Sequence, residues 1–254
     1  MMVKKEQLLV RLNQIGQSLA RSGNALALIG LGSTGLDLER LDEFSDLDFF
    51  VIAAPGKKAE VLRRLNWLSE IAPLAFYFQN TADGYKVLFA DGVFCEFAVF
   101  EIEELRAVPF APGRVVWKRP EVDDLIAVPV RSIQPPKSPD GRWQVGEALS
   151  NLYVGLERWQ RGEKLSAARF IQGYAVDRVL ELVELVEPAQ PGQPDPFMRE
   201  RRFEIRFPTV TRRLPEFVQG YERSPQSALA ILDFLERHFP VNPAIAQAIR
   251  NLCQ

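Results

Sequence analysis

The chain has few of the residues from which redox, disulfide and histidine-based sites are made. Its 254 residues contain one histidine, His238, and two cysteines, Cys95 and Cys253. Two cysteines do not make a disulfide framework, and Cys95 falls within an apolar segment, so the composition predicts a protein of a reducing compartment, the cytoplasm. A lone histidine argues against His-rich metal sites and against most histidine-dependent catalytic triads.

A large excess of one charge and long apolar runs are also absent. The 31 Lys and Arg residues nearly balance the 33 Asp and Glu residues, and the formal net charge is −2. This balance argues against a chain built mainly to bind nucleic acid. The N-terminus leads into an amphipathic pattern rather than a signal sequence, and no uncharged run is long enough to cross a membrane. The sequence therefore predicts no membrane partner.

The apolar pattern divides the chain into a mixed half and a helical half. Short apolar runs typical of strands alternate with amphipathic helical segments as far as Asp124, and a proline-rich stretch follows. Beyond it, long segments with helical spacing run to the C-terminus. We predict an α/β (α+β) domain with a mixed sheet over residues 1–126, a linker over 127–140, and an all-helical domain over 141–254.

The most informative segment joins a Gly-Ser turn to a strand that begins with two acidic residues. Gly32 and Ser33 follow an apolar run, and Asp46 and Asp48 open the next one. Side chains two residues apart on a strand share a face, so the two carboxylates point together. Such a pair is costly unless a divalent cation neutralises it, and oxygen ligands suit Mg²⁺. A Gly-Ser turn can present backbone N–H groups to phosphate, so the segment predicts nucleotidyl transfer.

The same segment also matches a dinucleotide-binding fingerprint. Residues 30–35 satisfy the pattern G-x-G-x-x-G. That motif requires a long apolar helix and then a second parallel strand. The charged residues 36–44 leave too little room for such a crossover. We therefore reject the dinucleotide interpretation.

A third acidic residue, Glu96, lies in another apolar segment. It is the one charge in residues 93–100, and its neighbours on one strand face would be Phe94, Ala98 and Phe100. A carboxylate among buried groups is costly unless it is paired, protonated or bound to metal. An edge strand with Glu96 in solvent is the alternative. Because Asp46 and Asp48 would supply the cation, we predict that Glu96 is a third metal ligand.

These residues resemble the polymerase-beta-like nucleotidyltransferase superfamily. The resemblance rests on Gly32-Ser33, on Asp46 and Asp48, and on the later strand carboxylate. More narrowly, residues 87–92 leading to Glu96, then 101–105 and, more loosely, 157–168 are similar to streptomycin (aminoglycoside) adenylyltransferases and lincosamide nucleotidyltransferases. The resemblance implies a Mg²⁺-dependent enzyme that moves a nucleoside monophosphate, expected to be AMP from ATP, to a hydroxyl of a small molecule such as an antibiotic.

The resemblance also implies roles for individual residues. Gly32 and Ser33 would anchor the β- and γ-phosphates, and Asp46 and Asp48 would hold the Mg²⁺ bound to the nucleoside triphosphate. With Glu96 they would hold a second Mg²⁺ that activates the hydroxyl. Glu147 is similar to a glutamate near the acceptor and would be the general base. We expect the acceptor to bind in a cleft between the two domains, facing Glu147.

Two other functions stay open at this point. One is an AMPylating nucleotidyltransferase whose acceptor is a protein or an RNA. The other is a non-catalytic nucleotide-binding relative, although the retention of Asp46, Asp48 and Glu96 argues against it. The sequence does not identify the acceptor or the preferred triphosphate, and it leaves a homodimer open.

Overall fold

The computed structural model describes residues 4–131, 141–192, 194–195 and 198–254. The chain forms two compact units, Met1–Gln134 and Pro135–Gln254. The N-terminal unit contains, in chain order, α1 (Lys4–Ser22), β1 (Ala25–Gly30), β2 (Leu47–Ala53), α2 (Lys58–Arg63), α3 (Asn66–Ser69), β3 (Leu74–Thr81), β4 (Gly84–Phe89), β5 (Phe94–Phe100), α4 (Ile102–Leu105) and β6 (Arg114–Lys118).

The strands form one mixed sheet. Its order is β3-β4-β5-β2-β1-β6, and β2 and β5 run parallel while each other neighbouring pair is antiparallel. Side chains alternate in burial along β2 and β5 because one face of these strands packs into the core. On the opposite face, a second buried cluster that includes Ile52 and Phe100 covers the ends of β2 and β5. The rest of that face, which we call the open face, carries the half-exposed Asp48, Lys86 and Glu96. The predicted mixed sheet is confirmed.

Helix α1 covers the buried face of the sheet. Its apolar stripe is fully buried and consists of Leu8, Leu12, Ile15 and Leu19. Within the same helix, Arg11 is 6% exposed and forms a 2.5 Å ion pair with Asp91, next to the turn between β4 and β5. This pair links the helix to the turn, so it holds the β4–β5 hairpin against α1.

The C-terminal unit is helical, as predicted. Its helices are α5 (Gly141–Gln160), α6 (Lys164–Arg169), α7 (Val176–Leu182), α8 (Phe203–Arg206), α9 (Pro208–Thr211), α10 (Leu214–Phe217), α11 (Ser224–His238) and α12 (Pro243–Leu252). They enclose a separate apolar core to which α5, α7 and α11 contribute most of the buried side chains. In the described ranges, no helix is long and apolar enough to cross a membrane.

Some boundaries differ from the sequence prediction. The helical spacing of apolar residues over 57–70 predicts one helix, but α2 ends at Arg63 and the backbone of Arg64 is extended before α3 begins. The indole N–H of Trp67 in α3 donates to the carbonyl of Val61 in α2 at 3.1 Å, so a buried hydrogen bond joins the two short helices. A 3-10 turn covers residues 124–127 and thus includes the first residue of the predicted linker, and residues 132–140 of that linker lie outside the described ranges.

Candidate functional site

The Gly-Ser turn is a tight structure locked to β2. Gly32 begins a 3-10 turn with a positive φ of 52°, a conformation that favours glycine. The amide of Leu31 and the hydroxyl of Thr34 both lie 2.8 Å from the carbonyl oxygen of Asp48. Thr34 is fully buried, so its hydroxyl is a structural anchor. These bonds place the turn directly beside Asp48.

The space between Gly32 and Asp48 depends on the absence of a side chain. A Cβ at Gly32 would lie 4.0 Å from the Asp48 carboxylate oxygen Oδ2. Gly32 itself is exposed and Ser33 is half-buried. Because Gly32 has no side chain, the space beside the Asp48 carboxylate stays unfilled. An anionic group with a bound cation can therefore approach both the turn and the carboxylate. The antiparallel pairing of β1 with β2 also excludes the dinucleotide fold, which needs parallel strands at this point.

Asp48 and Glu96 are brought to the same level of the sheet. They are direct partners in the parallel pairing of β2 with β5, so both side chains project from the open face. Asp46 lies immediately before β2 and is half-buried, as Asp48 is. The prediction that Glu96 faces the same side as Asp48 therefore agrees with the strand register.

The surroundings of Glu96 differ from those that the sequence predicted. Its side chain is 42% exposed, and it forms a 3.1 Å ion pair with Lys86. The amide of Asn80 donates to its other carboxylate oxygen at 2.8 Å. The expectation of a carboxylate isolated among buried groups is wrong, because β4 places Lys86 directly opposite Glu96. Burial therefore does not require Glu96 to bind a metal ion.

The metal-binding potential of the site rests mainly on the two aspartates. Among the residues that the structure describes, no three His, Cys, Asp or Glu side chains are grouped so as to hold a metal ion. The predicted convergence of Asp46, Asp48 and Glu96 around one ion is thus not found in the described side-chain arrangement. Mg²⁺ does not require three protein ligands, since it is commonly held by one or two carboxylates together with substrate phosphates and water. Asp46 and Asp48 beside the open Gly32 turn fit that donor set.

The negative charges of Asp46 and Asp48 affect the pKa of a buried thiol, that of Cys95. Burial raises the pKa of the Cys95 thiol, and the negative charges of Asp48 and Asp46 raise it further, although Arg11 acts in the opposite direction. Cys95 is fully buried on the strand that carries Glu96. The thiol therefore stays protonated, and Cys95 is a core residue rather than a nucleophile.

Two cations near the turn and the open face were missed by the sequence analysis. Lys86 is one, and the other is Arg114 of β6, whose guanidinium donates to the carbonyl of Thr34 at 3.1 Å. The signal for Lys86 was available, because the turn at Asp91-Gly92 predicts a hairpin that brings the strand of Lys86 beside that of Glu96. Nothing in the local sequence of Arg114 indicates that β6 pairs with β1 next to the turn.

Glu147 belongs to the C-terminal unit. It lies in the second turn of α5 and is half-buried, and its backbone carbonyl accepts a 2.8 Å hydrogen bond from the side chain of Asn151. Glu147 and Asn151 are thus one helical turn apart on α5. The role of Glu147 as general base stays a prediction.

A cavity of about 430 Å³ lies in the N-terminal unit but is not formed by the predicted site residues. Its lining is mostly apolar and includes Leu26, Ile102, Phe110, Val122, Leu125 and Val130. Gly32, Ser33, Asp46, Asp48 and Glu96 do not line it. The predicted site residues lie elsewhere in this unit, at the Gly-Ser turn and on the open face of β2 and β5.

The chain was compared with protein families, curated proteins and solved structures. No family model matches the chain, and no curated protein sequence matches it. One of the solved structures that match is an aminoglycoside 6-adenyltransferase from Bacillus subtilis, with 13% sequence identity and a TM-score of 0.36 over 99% of this chain and 92% of that chain. Similarity at this level carries no conclusion about the activity of the present chain.

Proposed function

We propose that the chain is a Mg²⁺-dependent nucleotidyltransferase that moves a nucleoside monophosphate, AMP from ATP, to a hydroxyl of a small molecule. The observation that carries this proposal is the placement of the Asp48 carboxylate 4.0 Å from the position of a Cβ at Gly32, in a turn locked to β2. A phosphate-binding turn next to a strand that begins with two aspartates is the arrangement that nucleotidyl transfer requires.

The residues of the N-terminal unit would bind the triphosphate. The Gly32-Ser33 turn would hold the β- and γ-phosphates through its backbone N–H groups, with the Arg114 guanidinium nearby as a positive charge. Asp46 and Asp48 would hold Mg²⁺, which when bound neutralises the phosphate charge that develops during transfer. Glu96 and Lys86, joined by their ion pair, would line the far side of Asp48.

The order of the strands supports one direction of attack. The turn that would hold the leaving pyrophosphate follows β1, and β1 and β5 flank β2 on opposite sides. Phosphoryl transfer proceeds with the attacking and leaving oxygens roughly in line. The acceptor hydroxyl therefore enters from the side of Glu96. A bond forms between its oxygen and the α-phosphorus, the bond to the pyrophosphate oxygen breaks, and Glu147 takes the hydroxyl proton.

The test is to follow each phosphate of the donor separately. The full chain is incubated with Mg²⁺ and ATP labelled at the α-phosphate, in parallel with ATP labelled at the γ-phosphate, against a panel of hydroxylated antibiotics and a total cell lysate. We expect the α-label alone to move to a small molecule. Transfer of the γ-label would indicate a kinase, α-label on protein or RNA would indicate a macromolecular acceptor, and no transfer from any triphosphate would contradict the proposal.

A further inference from the structure

Strand β3 lies at one edge of the sheet, and its pairing with β4 is regular from Phe76 to Gln79 and irregular toward both ends. Between these irregularities the strand lacks the charged residues and prolines that usually protect an edge strand. Among the described strands it pairs with β4 alone. Residues 75–79 are all exposed, and three of them are aromatic: Phe76 is 50% exposed, Tyr77 57% and Phe78 45%. Residues 74–81 contain no charged side chain and no proline. An exposed, uncharged, aromatic edge is an available template for another strand.

The opposite edge of the same sheet provides an internal comparison. Strand β6 has five residues where β3 has eight, and its first and last residues are Arg114 and Lys118. All five residues of β6 are half-buried. A short edge strand that begins and ends with basic residues is protected against pairing with other chains. The two edges therefore differ in the features that decide whether a strand pairs with another molecule.

We propose that β3 is the interface of a homodimer, in which the β3 strands of two copies pair antiparallel about a two-fold axis at Tyr77. This register places Phe76 opposite the partner's Phe78 on one face of the joined sheet. Phe76 and Phe78 already contact each other within one chain, with ring centroids 5.7 Å apart. Four phenylalanine rings then form a continuous row across the axis, and aromatic cross-strand pairs stabilise antiparallel strands.

A second copy fits this edge in charge and in symmetry. Because β3 carries no charged residue, two identical strands meet without repulsion between like charges. A two-fold axis makes the surface complementary to itself, and the row of backbone donors and acceptors of one β3 can pair with the same row of the other. The sheet would continue through the axis, and neither copy would retain an exposed β3 edge.

The area available indicates how strong the dimer is. An aromatic side chain buries about 200 Å², so six rings that are about half exposed contribute about 600 Å². Stable interfaces bury about 1,200 Å² or more in total, and the backbone ladder with the exposed Ala75 and Gln79 must supply the rest. We therefore expect a dimer whose population depends on protein concentration in the micromolar range.

Sedimentation velocity of the full chain between about 1 and 200 µM tests the proposal. We expect the apparent mass to rise from the 28.8 kDa of one chain toward twice that value. The variant Tyr77→Lys places two positive charges at the axis and is expected to raise the dimer Kd more than tenfold. Phe44→Lys is the matched control, because Phe44 is an exposed aromatic residue, 85% exposed, in a loop outside β3.

The outcomes are distinct. A wild-type chain that stays monomeric at all concentrations, a Tyr77→Lys variant that still dimerises, or a Phe44→Lys variant that dissociates as well would each overturn the proposal. If Tyr77→Lys does not fold, Tyr77→Cys replaces it, since residues that face each other across the axis would have Cβ atoms about 5 Å apart and form an interchain disulfide on oxidation. Failure to cross-link would exclude this register. None of these measurements depends on nucleotidyl transfer.

Discussion

Asp48 is the residue on which the proposed chemistry depends most, because its carboxylate lies beside the open turn and its backbone anchors that turn. The Asp48→Asn variant keeps the shape of the side chain and the two hydrogen bonds to the backbone carbonyl, so we expect it to fold normally. Loss of one metal-binding charge costs about 3 kcal/mol in the transition state, a decrease of more than a hundredfold in turnover. The measurement is the rate of α-phosphate transfer.

The control for this variant is Asp124→Asn. Asp124 lies in the same unit, and its side chain is 78% exposed in a pair with Lys118. Its replacement is expected to leave turnover unchanged. Turnover of Asp48→Asn close to that of the control would show that the aspartate pair is not catalytic.

Lys86 adds a positive charge to the open face that carries Asp48 and Glu96. Strand β5 lies between the strands of Lys86 and Asp48, so the two residues are two strand spacings apart, about 10 Å. At that distance the repulsion between a unit positive charge and a divalent cation is about 1 kcal/mol in water. The Lys86→Met variant removes this repulsion and leaves Glu96 without its ion pair. We expect Mn²⁺ to bind about fivefold more tightly, measured by titration with detection of free Mn²⁺ by electron paramagnetic resonance.

Folding of Lys86→Met should be little affected, because an exposed ion pair contributes at most about 1 kcal/mol. Lys57→Met, which removes an exposed lysine paired with Glu60, is the control and should bind Mn²⁺ as the wild type does. Equal Mn²⁺ affinity in the two variants would mean that Lys86 and Glu96 lie outside the field of the ion.

For individual residues, the sequence predicted the strand face of Asp48 but not the partner of Glu96. Alternation along β2 was enough to predict that Asp48 points away from the face of Leu47 and Phe49, because the strand period is a local property. The pairing of Glu96 with Lys86 depends on the register between β4 and β5. Register is decided by turn geometry and by the packing of a whole face, so a lone glutamate in an apolar run could not be assigned a partner from its own strand.

At the scale of elements, Glu187 joins two helical segments of the C-terminal unit. Its side chain is 8% exposed, and its two carboxylate oxygens accept hydrogen bonds of 2.9 Å from the backbone amides of Thr209 and Val210, at the start of α9. Burial alone would raise the pKa of Glu187, but these amides, together with the Thr209 hydroxyl and the positive charge of Arg212, hold the pKa below its ordinary value. Glu187 therefore acts as a cap supplied from a distant segment.

The Glu187→Gln variant removes the charge of this cap and is expected to lower the free energy of unfolding by about 1–2 kcal/mol at pH 7. A lowered pKa in the folded state means that the contribution is present above the ordinary pKa of 4.5 and is lost as the pH falls through the folded value. The difference between variant and wild type should therefore shrink toward acid pH. Urea unfolding at several pH values measures it, with the exposed Glu204→Gln as control. A difference that does not change with pH would contradict the assignment.

The elements themselves were largely predictable. The apolar stripe of α1 and the apolar run of β1 are local patterns, and each pattern coincides with an element of the structure. The segment after Ala53 was not, since the hydrogen bond from Trp67 to Val61 favours two short helices over the single helix that periodicity predicts. Tertiary contacts of this kind override helix propensity.

At the scale of the whole molecule, the chain has one apolar core in its helical unit and separate buried clusters on the two sides of the sheet. The change from short strand patterns to long helical patterns was visible in the sequence, because each pattern reflects burial within its own unit. The proposed function uses residues of both units. Glu147 is the member of the proposed set that belongs to the helical unit, which makes it a test of whether that unit takes part in the chemistry.

The Glu147→Gln variant removes a proton acceptor but keeps the size and polarity of the side chain, which lies half-buried in the second turn of α5. If Glu147 is the general base, the triphosphate still binds to the N-terminal unit while deprotonation of the acceptor hydroxyl is lost. General base catalysis contributes about 10²- to 10⁴-fold, so we expect turnover to fall by at least about a hundredfold with the nucleotide Kd unchanged. Calorimetric titration with a non-hydrolysable ATP analogue measures the Kd, and α-phosphate transfer to the acceptor found in the screen measures turnover.

The control is Glu163→Gln, a change at a more exposed glutamate paired with Arg161 in the same unit, which should leave the nucleotide Kd and the turnover unchanged. Unchanged turnover in Glu147→Gln, or an equal loss of nucleotide affinity, would assign proton transfer to another group.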